Sequence, residues 1–344
     1  SRLLAPHPAP TAALAKALLQ GKSTGQFIVR NTASGDVMLH APGTYIMERS
    51  CAEFILSLLR EPVLQQPLFP TDVASVIADF ERSERDHLKL NTFALNDAQR
   101  VAVNTSFTNR FSIITGGAGV GKTTVLKALY KALDRLGKPR FQMALSGRAA
   151  ARMTEATQES ATTIAGFLRN ATEDDMGESP VVIIDEASML DVVTFYKLTQ
   201  KLPSGTHLVL VGDPFQLPPI GAGLVFHVLC QLAAIPVTRL TEVKRQAKGS
   251  EIPAAASAIR EGEWPGFSSA EGAEVVFLPC PETEIISETM RLYEMDKDNT
   301  QILAATRSSP YAGVETINRL CHLRYVASAR PLLATSEDTG AVEQ

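Results

Sequence analysis

The chain has 344 residues, 45% hydrophobic and 20% charged, with a formal net charge of −4. That length holds two or three domains, each able to bury a core, in the composition of an ordinary globular protein. The charge argues against a polybasic nucleic-acid coat, no apolar run approaches the ~18 residues of a membrane span, and the N-terminus lacks a signal peptide's basic-then-apolar order.

Residues 1–92 read as a mainly helical accessory domain. Helical spacing runs through Thr11 to Leu19 and Ala52 to Arg60, with short strands at Gln26 to Val29 and Asp36 to Leu39. Pro62, Pro67 and Pro70 interrupt the pattern. It resumes as a helix over Asp72 to His87, with Thr71 as the expected cap. Beyond Asn96, strand and helix patterns alternate, as a doubly wound α/β parallel sheet requires. Strands are expected at 111–115, 140–145, 181–185, 207–212 and 236–240, and helices near 97–108, 121–136, 147–157, 191–201 and 221–233.

Phe111 to Thr124, FSIITGGAGVGKTT, carries the first chemistry. Gly116, Gly121, Lys122 and Thr123 fill the phosphate-loop pattern G-x-x-x-x-G-K-[ST] between a strand and a helix. Backbone N–H groups from Gly117, Ala118, Gly119, Val120, Gly121 and Thr124 can face phosphate oxygens because glycines permit the tight path. The helix N-terminus adds its dipole, Lys122 reaches the β/γ-phosphates, and the Thr123 hydroxyl serves Mg²⁺. The cofactor expected is ATP with Mg²⁺.

Val181-Val182-Ile183-Ile184-Asp185-Glu186 is a buried parallel strand with two acids at its carboxyl end. Asp185 fits the carboxylate that holds Mg²⁺, and Glu186 fits the base that activates water. A second strand, His207 to Val211, leads into Gly212-Asp213-Pro214-Phe215-Gln216, where Gln216 can reach the γ-phosphate or the attacking water. Between Lys122 and Arg169, nine Lys/Arg face three acids (Asp134, Glu155 and Glu159), a local basic excess that can hold a phosphate backbone. Cys51, Cys230, Cys280 and Cys321 lie far apart and read as reduced thiols of a cytoplasmic protein. The six histidines form no H-E-x-x-H zinc signature.

Gln99 with Leu95-Asn96, GGAGVGKTT, ALSGRAAARM, TTIAGFL, VVIIDEASML, LVGDPFQLPPIGAG and LTEVKRQ stand in the order found in superfamily 1 DNA helicases of the 5′-to-3′ class. The chain resembles the RecD-like group, the exodeoxyribonuclease V alpha-subunit relatives, from about residue 40 to about 325. The resemblance implies a RecA-like motor domain at 93–248 and part of a second RecA-like domain at 249–344. It implies that Gln99 reads adenine, that Gln216 couples the γ-phosphate to DNA, and that Arg245 is an arginine finger. Ser146, Gly147, Arg148, Thr162 and Thr163 correspond to loops gripping single-stranded DNA, and Thr306, Arg307 and Asn318 to DNA-facing positions of the second domain. Expected partners are single-stranded DNA and DNA-repair, recombination or conjugation proteins, with no membrane and a monomeric chain.

Three departures qualify the match. After Asn318 the family's remaining motifs, a threonine-histidine-glutamine-glycine strand end and a threonine-arginine-alanine helix start, do not follow, so the chain is expected to be C-terminally truncated and a poor hydrolase alone. The segment around Glu173, Asp174, Asp175 and Glu178 is short and acidic, with no aromatic wedge. Ala165 stands where a histidine is usual. Two alternatives are the helicase-like part of a conjugative relaxase, whose tyrosine and histidine-triad nuclease is not in this sequence, and a nucleotide-switched single-stranded DNA-binding module that has lost hydrolysis.

Overall fold

In the computed structural model, the residues described are 16, 19–31, 35–60, 72–134, 137–242, 250–267, 273–326, 334–335 and 342–343. The chain divides into two compact units, Ser1–Gly249 and Ser250–Gln344.

In the first unit, helical residues 19–23 precede an antiparallel hairpin, β1 (Ile28–Asn31) and β2 (Val37–His40), which is followed by helices α1 (Pro42–Arg60) and α2 (Val73–Leu88). The cap of α2 is Asp72, whose carboxylate accepts from Ala74 N at 3.0 Å; the expected cap, Thr71, lies outside the described residues. Then come α3 (Asp97–Thr108), β3 (Phe111–Gly116), α4 (Lys122–Leu133), β4 (Arg140–Ala144), α5 (Gly147–Thr157), β5 (Ala161–Thr163), α6 (Ile164–Asn170), β6 (Val181–Asp185), α7 (Val192–Lys201), β7 (His207–Gly212), α8 (Val225–Leu229) and β8 (Val237–Leu240).

Strands β3 to β8 form one parallel sheet in the order β5-β4-β6-β7-β3-β8. The expected α/β doubly wound sheet is present, with β5 as an added edge strand. Its three residues, Ala-Thr-Thr, are too few to reveal a period of two. The expected helix at 221–233 is shorter, α8 alone. Gly221 packs where a Cβ would meet the Asp191 carboxylate at 2.5 Å, and Gly223 adopts φ +94 against Val192, so residues 221–224 follow a loop path.

The alternation of the apolar strands fills both faces. Val181 and Ile183 join one core with Val209, Val211, Leu126 and Leu129; Val182 and Ile184 join the other with Leu208, Leu210, Phe195 and Phe226. The two N-terminal helices have no core of their own among the described residues. Val76, Ile77 and Phe80 of α2 sit in the first core, and Cys51, Ile55 and Leu58 of α1 in the second. The period of their apolar residues marked a buried face, but only tertiary contact shows that the sheet is what covers it.

In the second unit, α9 (Ile252–Glu261), α10 (Ile285–Met295) and α11 (Val314–Cys321) are the regular helices. Met290 of α10 and Ile317 of α11 are buried. Two short antiparallel strands, Ala334–Thr335 and Val342–Glu343, pair with each other. Among its described residues there is no parallel ladder.

Candidate nucleotide-binding site

Strands β3, β6 and β7 are hydrogen-bonded neighbours, so the loops leaving their carboxyl ends meet at one edge of the sheet. They line a cleft of about 810 Å³ with the start of α3 and one side of α5. The cleft collects Gln99, Gly117, Ala118, Gly119, Gly121, Lys122, Thr123, Thr124, Asp185, Glu186 and Gln216 from the sequence expectations. It also holds Glu155, read from the sequence only as an acid within the basic segment, and Phe93, Lys127 and Arg152, which the sequence reading did not name. Arg152 had a legible signal: it follows Arg148 by one helical turn and so shares its face of α5.

The loop's shape follows from its glycines. Gly119 and Gly121 have φ of +78 and +87. Gly121 is the N-cap of α4 and offers no side chain to that helix start, which leaves its first N–H groups for an anion. A Cβ at Gly116 would lie 2.6 Å from the Leu240 carbonyl oxygen, so β8 also fixes the loop's approach. Val120 is buried in the first core, which leaves its backbone as its polar offering. The Lys122 ammonium donates to the carbonyls of Gly116 and Gly117 at 2.6 and 2.9 Å, folding back over the loop.

Gln99 is 2% exposed and its amide is oriented on both ends. Its Oε1 accepts from Asn96 N at 3.1 Å, and its Nε2 donates to the Val120 carbonyl at 3.1 Å. One N–H and one lone pair stay available, the complement of an adenine edge.

The acids sit in low-dielectric surroundings. Burial raises the Asp185 carboxyl, opposed by the hydrogen bond from Glu186 N at 2.9 Å and by the Lys122 charge. Burial raises Glu186 too, and the neighbouring Asp185 charge adds to it. Glu186 adopts a left-handed φ of 54, uncommon for a non-glycine residue and a cost accepted at functional sites. Its Oε2 is buried and, among the described residues, has no hydrogen-bond partner. A hard cation fits this set: hydroxyl and carboxylate oxygens beside a phosphate loop, with an unsatisfied carboxylate oxygen nearby. Among the described residues no group of three His, Cys, Asp or Glu side chains is arranged to hold a metal. Mg²⁺ commonly takes one or two protein ligands, with water and phosphate completing its shell.

A family model, AAA_30, an AAA domain, matches residues 94–275, more than half of the 344 residues. The chain belongs to this AAA-domain family. The ATP-dependent RecD2 DNA helicase of Deinococcus radiodurans is 30% identical over 249 residues, covering 70% of this chain and 32% of that protein. The RecBCD enzyme subunit RecD of Mycolicibacterium smegmatis is 27% identical, covering 71% and 55%. A probable conjugal transfer protein TraA of Sinorhizobium fredii is 28% identical, covering 67% and 20%. The AAA-domain chain thus spans about a third of the first relative and about half of the second. The RecD-like resemblance of its motifs holds.

Away from the cleft, Ser146 caps α5 by accepting from Ala149 N at 3.2 Å, and Thr163 caps α6 by accepting from Gly166 N at 3.0 Å. With Gly147, exposed Arg148 and Thr162, they stand at the carboxyl ends of neighbouring β4 and β5. The local basic excess does not form one face. Lys138 and Arg140 lie at the amino end of β4, where Arg140 pairs with Asp134 and Glu159, while Lys122, Lys127 and Arg152 line the cleft. In the second unit Thr306 accepts from Val314 N at 3.1 Å, Arg307 pairs with Glu315 at 2.9 Å, and Asn318 is exposed on α11. Arg245 lies outside the described residues.

Proposed function

We propose that this chain is part of an ATP-dependent 5′-to-3′ DNA helicase or single-stranded DNA translocase of the RecD-like group. Residues 93–248 are its first motor domain, and 249–344 are part of a second RecA-like domain. Residues 1–92 are a helical extension whose described helices pack on the first domain's sheet. The observation that carries the reading is the convergence of Lys122, Asp185, Glu186 and Gln216 on one cleft beside an uncapped helix N-terminus.

The phosphates lie against the N–H groups of residues 117–124, the Lys122 ammonium shifts from its loop carbonyls to the β/γ-phosphates, and Gln99 faces the adenine. Thr123 and Asp185 hold Mg²⁺, which when bound neutralises charge on the β- and γ-phosphates. Glu186 accepts a proton from water while the water oxygen bonds to the γ-phosphorus and the bridging oxygen leaves with ADP. Gln216 orients that water, and Arg245 neutralises charge on the departing phosphoryl group. Single-stranded DNA crosses the ends of β4 and β5 at residues 146–148, 162 and 163, and Thr306, Arg307 and Asn318 are the DNA contacts of the second unit. The setting is the cytoplasm, with repair or recombination proteins as partners. The similarity to the conjugal transfer protein supports a second reading, the motor part of a conjugative relaxase.

Calorimetry tests the shared core of these readings. Removing one charge-assisted phosphate contact is worth about 1.5–3 kcal/mol, so Lys122→Ala weakens Mg·ATP binding roughly ten- to a hundredfold. Unchanged affinity removes the assignment. These 344 residues alone are expected to hydrolyse slowly. Vigorous unwinding of a 5′-tailed duplex contradicts that expectation.

A further inference from the structure

The hydrolytic scheme above leaves two cleft cations, Lys127 and Arg152, without a task, and Arg152 is the one whose charge is felt at Glu186. Arg152 stands on α5 and lines the cleft that contains Asp185, Glu186 and Gln216. Its side chain is exposed, and among the described residues it has no hydrogen-bonded or ion-paired partner. Lys122, by contrast, is held by two loop carbonyls. Across the same cleft, Glu186 is pinned by a left-handed backbone, with Oε2 buried and unsatisfied. A buried carboxylate oxygen without a donor is costly, and a guanidinium is the side chain whose planar fork matches a carboxylate.

We propose that Arg152 is a positioning residue for hydrolysis, its guanidinium pairing with the Glu186 carboxylate and fixing the oxygen that takes the proton from the attacking water. This rests on the nucleotide-hydrolysis reading. Arg152 makes no bond to the reacting atoms; it sets the direction of the group that does. Because Arg148 lies one turn earlier on the same helix, the pair also sits on the element that carries the proposed DNA contact.

The test uses the full chain in four forms: parent, Arg152→Ala, Glu186→Gln and the double variant, with Arg152→Lys as the conservative replacement. Thermal melting without nucleotide reads the pairing directly. Arg152→Ala lowers the melting temperature of the parent by a few degrees and leaves that of Glu186→Gln unchanged. With Mg·ATP, the single-turnover rate of Arg152→Ala falls tenfold or more, Mg·ADP affinity stays within twofold, and Arg152→Lys recovers part of the rate. Equal melting shifts in the parent and Glu186→Gln backgrounds, or an Arg152→Ala rate equal to the parent's, overturns the inference. If the parent binds no nucleotide, the proposed function fails, and the melting arms still decide whether Arg152 and Glu186 interact.

Discussion

The Gln99 amide nitrogen occupies the space that a side chain at Gly121 would need. Gln99 Nε2 donates to the Val120 carbonyl at 3.1 Å, and a Cβ built on Gly121 would fall 2.3 Å from that nitrogen. The expected base-reading residue and the last glycine of the phosphate loop are therefore one packed unit, joined through the loop backbone. Under the proposed roles, adenine and phosphate recognition are coupled at this point.

Gly121→Ala tests that relationship. A left-handed φ of +87 costs an L-residue roughly 1–2 kcal/mol, and the Gln99 amide must also move. Nucleotide affinity should fall about tenfold or more, with a lower melting temperature. Gly43→Ala, on α1 with open space around the built Cβ, should leave nucleotide affinity unchanged. Equal behaviour of the two variants in calorimetry would show that the loop is not held as described.

Arg148 is the residue through which the DNA path is best examined. It is exposed at the start of α5, beside the Ser146 cap and at the same sheet edge as the Thr163 cap. A phosphate contact there releases a counterion and carries no base information. Arg148→Ala should weaken single-stranded DNA by severalfold at low salt, equally for mixed sequences, and lower the salt slope by about one. Parent-like affinity in an anisotropy titration would place the DNA elsewhere.

Leu58 tests how the N-terminal helices are held. It is 1% exposed on α1, in the core that contains Phe111 and Phe195. Leu58→Ala should cost about 2–5 kcal/mol of unfolding free energy in denaturant titrations. A cost below about 1 kcal/mol would mean that α1 is only loosely applied to the sheet.

His207 predicts a pH dependence of stability. It is fully buried at the start of β7, its Nε2–H donates to the Ser106 carbonyl at 2.5 Å, and its Nδ1 has no partner among the described residues. Burial, with Lys138 and Arg110 nearby, pushes it down to about 4 from 6.5, against the pull of the Ser106 carbonyl. The proton therefore binds the unfolded chain first. The contribution of neutral His207 is whole above pH 6.5 and drains away as pH falls from 6.5 towards 4, by about 3 kcal/mol in all. The melting-temperature gap between the parent and His207→Gln should narrow across that interval. A gap independent of pH would assign the acid sensitivity to other groups.

Elements whose chemistry is local are legible in the sequence. A run of apolar residues ending in Asp185, or a glycine path ending in Lys122, carries its strand, turn and helix within a dozen residues, so the five expected strands and the loop were legible. The sequence also shows which residue types could meet phosphate and metal. Tertiary structure decided what local patterns cannot encode. Which surface receives an amphipathic helix depends on residues far away, and so α1 and α2 are seen to cover the sheet only when the sheet is built. The basic segment 122–169 looked continuous, but β4 carries Arg140 and Arg148 to opposite ends of the sheet. The unsatisfied Glu186 oxygen and the unpaired Arg152 likewise arise from burial and strand order, because hydrogen-bond satisfaction is a property of neighbours in space rather than along the chain.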